Sequence, residues 1–129
     1  VVDDHEMVRR GVARTLAFDP KVEVVGEAQD GLEAIEVVRR LRPAVALMDV
    51  NMPKLDGIEA TRRLTEAMPA LRIIGLSMHQ DPEVESRMRS AGACDYVTKD
   101  APSETLRAAV HQSVDDSAPD SGEAPGPPT

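Results

Sequence analysis

Apolar positions along the chain follow two alternating rhythms. Val8, Val12 and Leu16 recur every four residues, the mark of an amphipathic helix behind the paired acids Asp3 and Asp4. The β-branched run VEVVGEA (22–28) reads as a strand. LEAIEVVRRL (32–41) then puts Leu32, Ile35, Val38 and Leu41 on one helical face, and Pro43 stops it. AVALM (44–48) is unbroken in its apolarity, as expected of a strand covered on both faces. Ile58, Thr61, Leu64 and Met68 line the next helix, which Pro69 closes, and LRIIGL (71–76) is the next strand. Val84, Met88 and Ala91 mark a helix entered at Asp81-Pro82 and left at Gly92. CDYVT (94–98) gives a short strand, and Leu106, Ala109 and Val110 a final helix.

Five strands alternating with five helices predict an α/β fold, a parallel sheet with helices on both faces. The first strand is the weak one. Only Val1 and Val2 precede the acids, and two residues span about 7 Å where about five are usual. The expectation is a chain cut from a longer protein, its first strand truncated. The near-identical pentapeptides DGLEA (30–34) and DGIEA (56–60) each set an Asp three residues before a Glu. That spacing satisfies free N–H groups at a helix start, so the repeat reads as one capping chemistry used twice.

Composition narrows the class. The chain has 129 residues, 41% hydrophobic and 29% charged, which suits one domain with a single core. No run approaches the roughly 18 apolar residues of a membrane helix and no signal peptide opens the chain. With Cys94 alone no internal disulfide can form, and a cytoplasmic location is expected. Net charge is −8, of which the last sixteen residues carry −4 and no base, so a nucleic-acid surface is not expected. Residues 115–129, rich in Pro, Gly, Ser and acid, read as a disordered tail after a domain spanning 1–114.

The chemistry gathers at strand ends. Open parallel sheets bind ligands beyond the carboxyl ends of their strands. There stand Asp3 and Asp4, then Asp49, Ser77 and Lys99, while Glu27-Ala28-Gln29 offers nothing so distinctive. Carboxylates converging at one edge repel one another and raise each other's pKa values. A hard divalent cation such as Mg²⁺, with Mn²⁺ as a substitute, would hold them ionised. A carboxylate can also act as a nucleophile toward phosphorus, and phosphoryl transfer needs mainly positioning and charge neutralisation. A strand ending on a charge is thus explained by a metal-binding crevice open to solvent. His5 and His79 fall near it, but the oxygen-rich surroundings favour Mg²⁺ over a histidine-bound transition metal.

VVDD (1–4), LMDVNMPKLDG (47–57), GLS (75–77) and DYVTKD (95–100), in that order at strand ends, resemble the receiver domains of two-component response regulators. The resemblance covers roughly residues 1–114 and extends to receivers of NarL/LuxR-type regulators and of hybrid histidine kinases. It implies a flavodoxin-like, doubly wound five-stranded parallel sheet of order 2-1-3-4-5. It implies Asp49 as phosphoacceptor and Mg²⁺ ligand, Asp4 as a direct ligand and Asp3 as a supporting one, through water. Asn51 would ligate through its backbone carbonyl, and Ser77 and Lys99 would hold the phosphoryl group. Tyr96 would be the switch aromatic, coupling phosphate to the face of the fourth helix, fifth strand and fifth helix, where an effector domain or second copy would dock. The phosphodonor would be a histidine kinase. Receivers often carry a cis Lys-Pro bond at the last motif. Asp100 follows Lys99 here, which argues against a cis bond.

Two other readings stand beside this one. A haloacid-dehalogenase-like phosphohydrolase uses similar groups, but wants a general-acid Asp where this chain has Asn51, a poor proton donor. A degenerate receiver serving as a docking module should have lost part of the acidic set, and none is missing. The expectation is therefore a signalling module, not a conventional enzyme, within a DNA-binding regulator, a stand-alone regulator or a hybrid kinase.

Overall fold

A computed structural model describes residues 1–52 and 55–117, with side chains as far as residue 114. The elements run α1 (Glu6–Ala17), α2 (Gly31–Leu41), β1 (Val45–Asp49), α3 (Gly57–Ala67), β2 (Arg72–Ser77), α4 (Pro82–Ala91), β3 (Asp95–Thr98) and α5 (Ser103–Ser117). All five predicted helices form. α5 passes the predicted boundary at residue 114 by three residues, and the expected tail beyond 117 lies outside the described residues.

β1, β2 and β3 form a parallel sheet in that order, with Asp49 opposite Leu76 and Ser77 opposite Thr98. The two other predicted strands need correcting in length. Among the described residues each is an isolated parallel bridge, Val2 to Ala28 on one side and Val2 to Met48 on the other. Their order is still the expected one, since Val2 lies between the 22–28 segment and β1. The physical reason is the scarcity of partners. Val1 and Val2 supply few rungs, namely Val2 N–H to Leu47 (2.8 Å), Asp49 N–H to Val2 (2.9 Å) and Ala28 N–H to Val1 (3.0 Å). A β-branched segment such as VEVVGEA becomes a strand only where a neighbour completes its ladder.

Side chains alternate across the sheet and divide the core in two. Ala46, Met48 and Ile73 face Ala34, Val38, Ile58, Ala60, Leu64 and Met88 of α2, α3 and α4. Leu47, Ile74, Leu76 and Val97 face Leu16 of α1 and Leu106, Ala109 and Val110 of α5. Leu64, Ile73, Ile74 and Leu76 are almost wholly buried, each worth about 1.5–3 kcal/mol. The helix starts follow the capping prediction. Asp30 accepts from Glu33 N–H (2.8 Å), Asp56 from Glu59 N–H (2.9 Å) and Asp81 from Glu83 N–H (3.1 Å), each cap worth about 1 kcal/mol.

The repeated pentapeptide has a second cause. The glycine after each Asp lies so close to backbone that a β-carbon would collide, Gly31 with the Leu55 carbonyl and Gly57 with the Asp49 carbonyl. Ala34 and Ala60, which end the two copies, are fully buried. Both helices begin hard against the loop that follows Asp49.

Candidate crevice at the carboxyl ends of the strands

β1 ends on Asp49, β2 on Ser77, and Lys99 follows β3 directly. Lys99 N–H bonds to the Ser77 carbonyl at 2.7 Å, which fixes the exit of β3 against the end of β2. Asp3 follows the Val2 bridge. Parallel strands ending on one edge thus gather residues from four parts of the sequence.

The contacts centre on Lys99. Its ammonium lies 2.7 Å from Asp3 Oδ2 and 3.1 Å from Asp49 Oδ1. Asp3 is 0% exposed and Asp49 3%. Asp3 Oδ1 accepts from His5 N–H at 2.9 Å, and Asp49 Oδ1 accepts from Asn51 N–H at 3.4 Å. Asp49 Oδ2 is buried without a hydrogen-bond partner. Asp4 is more open and lies 3.3 Å from His5 Nδ1. Ligand-capable atoms of Asp3, Asp4 and His5 fall within 4.8 Å of one another. The sequence reading set His5 aside as a ligand, and the structure seats it against both acids.

Burial first, and then the Asp3 charge, raise the Asp49 carboxyl to about 6, against the opposing pull of Lys99 and Asn51 N–H. Burial pulls the Lys99 ammonium down, but Asp3 and Asp49 outweigh it and leave its pKa raised. An acid-rich crevice with one shared cation and an unpartnered buried carboxylate oxygen suits a hard divalent metal. The donor set therefore fits Mg²⁺.

Ser77 and Tyr96 are both buried and meet on the backbone of one residue, His79. Ser77 Oγ accepts from His79 N–H, and Tyr96 O–H donates to the His79 carbonyl, both at 3.4 Å. His79 thus joins the two residues through its backbone, a role its side chain gave no hint of. No cis peptide bond occurs among the described residues, so Lys99–Asp100 is trans. Asn51 is exposed and turns its N–H to Asp49. Arg9 and Gly57 touch the site through backbone alone, which no motif of side-chain chemistry would have singled out.

Known proteins resemble this chain in sequence and fold. The pattern of the family described as response regulator receiver domain matches residues 1–111. The chain is 41% identical over 110 residues to the transcriptional regulatory protein DegU of Brevibacillus brevis, covering 85% of this chain and 47% of that protein. It is 44% identical over 110 residues to the DNA-binding transcriptional activator DevR/DosR of Mycobacterium tuberculosis, covering 85% and 51%. The chain spans about half the length of these curated relatives. The solved receiver domain of the response regulator NarL from M. tuberculosis superposes with a TM-score of 0.82 at 33% identity, over 90% of this chain and 91% of that one. These matches set aside the phosphohydrolase expectation, and the hybrid-kinase expectation is not borne out by them. No helix among the described residues is long and apolar enough to cross a membrane.

Proposed function

The chain belongs to the response-regulator receiver family of two-component signalling, which is not a conventional enzyme family, and on that premise we propose that Asp49 is its phosphoacceptor. One observation carries the reading. Asp49 is buried at the end of β1, with Lys99 3.1 Å from one carboxylate oxygen and no hydrogen-bond partner on the other.

In this reading a carboxylate oxygen of Asp49 bonds to phosphorus. The bond from phosphorus to the donor's leaving atom breaks, and its electron pair stays with that atom. Lys99 stabilises charge on the phosphoryl oxygens, and the Ser77 hydroxyl donates to one of them. Asp4, Asp49 and the Asn51 carbonyl would hold Mg²⁺ or Mn²⁺, with Asp3 in support through water. When bound, the ion supplies Lewis-acid neutralisation of the transferring group. Once Ser77 turns to phosphate, its contact with His79 N–H is given up. Tyr96, held by the carbonyl of that same residue, then shifts with it and alters the surface of α4, β3 and α5.

In this reading the donor is a histidine kinase and the location cytoplasmic, and the names of the relatives support service within a longer transcriptional regulator. The net charge of −8 argues against direct nucleic-acid binding by this chain.

Acetyl phosphate with Mg²⁺ tests the assignment. Intact mass should show one added phosphoryl group, stable to acid and labile to base, and none in Asp49→Asn. Equal labelling of that variant would remove Asp49 from its role.

A further inference from the structure

Asp3 and Asp4 follow Val2, which makes an isolated bridge on each side. The Asp3 N–H still reaches the Ala28 carbonyl at 3.0 Å. Beyond that rung the partner of Asp3 is a side chain. Its carbonyl accepts from Arg9 Nη1 at 2.8 Å, while Arg9 Nε donates to Glu27 Oε1 at 2.9 Å. One guanidinium therefore ties α1, the backbone of Asp3 and the residue before the Ala28 bridge.

The guanidinium itself is largely covered, the Arg9 side chain being 13% exposed, while Glu27, at 35%, is open to solvent. A planar guanidinium can serve two acceptors at fixed angles, and a lysine ammonium cannot reproduce that fork. The other groups of Asp3 are also assigned, Oδ1 to His5 N–H and Oδ2 to Lys99. Both ends of the residue are thus fixed, the carbonyl by Arg9 and the carboxylate by its neighbours.

We propose that Arg9 is a positioning residue for the acidic half of the crevice. Its guanidinium holds the Asp3 carbonyl and so sets where Asp3 and Asp4 present their carboxylates, and with that the affinity for a divalent cation. The inference rests on reading the crevice as a cation site. Arg9 has no contact with the Asp49 carboxylate among those described, so its effect passes through Asp3.

The sign of the effect separates this role from simple electrostatics. Removing a positive charge near a cation site should tighten cation binding, whereas losing the tie should weaken it. Calorimetric titration of the full chain with MgCl₂ gives the measurement. Arg9→Met is expected to raise the Mg²⁺ Kd about tenfold, the lower end of what supporting contacts around metal ligands contribute. Arg9→Lys keeps the charge and loses the fork, so any weakening there is geometric. It also carries the test should Arg9→Met fail to fold. Amides of residues 3–5 should exchange faster in metal-free Arg9→Lys, while those of 72–77 stay as in wild type. A purely structural role would lower the urea midpoint and leave Kd unmoved, and that result, or tighter binding, overturns the proposal. A wild type that binds no Mg²⁺ overturns the cation-site reading and this inference together. Wild-type binding with unchanged variants overturns this inference alone.

Discussion

Asp49 and Ser77 end strands paired over five residues and four, β1 with β2 and β2 with β3. Asp3 and Asp4, on the other flank of the same crevice, follow a residue held by two isolated bridges. One half is placed by a continuous ladder, so its geometry comes from backbone. The other keeps backbone rungs at Val2 and Asp3 and adds side-chain ties, with Arg9 on the Asp3 carbonyl and Lys99 on its carboxylate. The two flanks of one crevice are therefore positioned by different means, the first by backbone pairing and the second by backbone and charged side chains together.

Lys99 is the contact shared by the halves, so removing it should break the comparison most. Lys99→Met leaves Asp3 and Asp49 buried without their common cation. The metal-free chain should lose about 3–5 kcal/mol in urea unfolding, and Mg²⁺ should recover part of it. A loss below about 1 kcal/mol would mean that the lysine does not join the halves.

Two glycines test the ladder half against open helix surface. A β-carbon at Gly57 would meet the Asp49 carbonyl, whereas one at Gly11 of α1 has nothing within 4 Å. Gly57→Ala should cost about 1–3 kcal/mol and reduce labelling at Asp49. Gly11→Ala should stabilise by about 0.5–1 kcal/mol and leave labelling unchanged. Equal thermal shifts for the two would show that the close approach at Gly57 has no effect.

A further expected effect is the pH dependence of Asp49. Its folded pKa of about 6 exceeds the ordinary 3.8, so the folded state holds the proton more tightly than the unfolded one. Metal-free stability from this group should be full below about pH 4 and decline as pH rises through 6. The shift corresponds to about 3 kcal/mol at most, and water at the crevice mouth reduces that to about 1–2 kcal/mol. Asp49→Asn should accordingly be the more stable chain at pH 7, with the gap closing toward pH 4. A gap of constant size would place its cause elsewhere.

The sequence announces the ladder half far better than the other. A continuous apolar run ending on a charge is visible in AVALMD, because both faces of that strand are covered. The capping acids Asp30, Asp56 and Asp81 are legible too, since their partners lie two or three residues away. The 22–28 segment misleads because strand propensity depends on a neighbour that local sequence does not contain. Arg9 and Gly57 escape notice for a related reason. Each acts on a carbonyl oxygen that every residue has, and only the folded chain shows which one. His79 resembles them, since its backbone, not its imidazole, joins Ser77 to Tyr96.

The sharing of Lys99 between two acids has a consequence in whole units of charge. Asp3, Asp4 and Asp49 contribute three negative charges and Lys99 one positive, while Arg9 is matched by Glu27. The resting crevice is thus formally −2, the equal and opposite of one divalent ion, and it reaches neutrality when such an ion enters. Under the proposed assignment, a phosphoryl group on Asp49 would replace one negative charge with about two. The loaded crevice would then carry a single surplus electron charge at the end of β1, with the Ser77 hydroxyl at the end of β2 as a dipole to turn toward it.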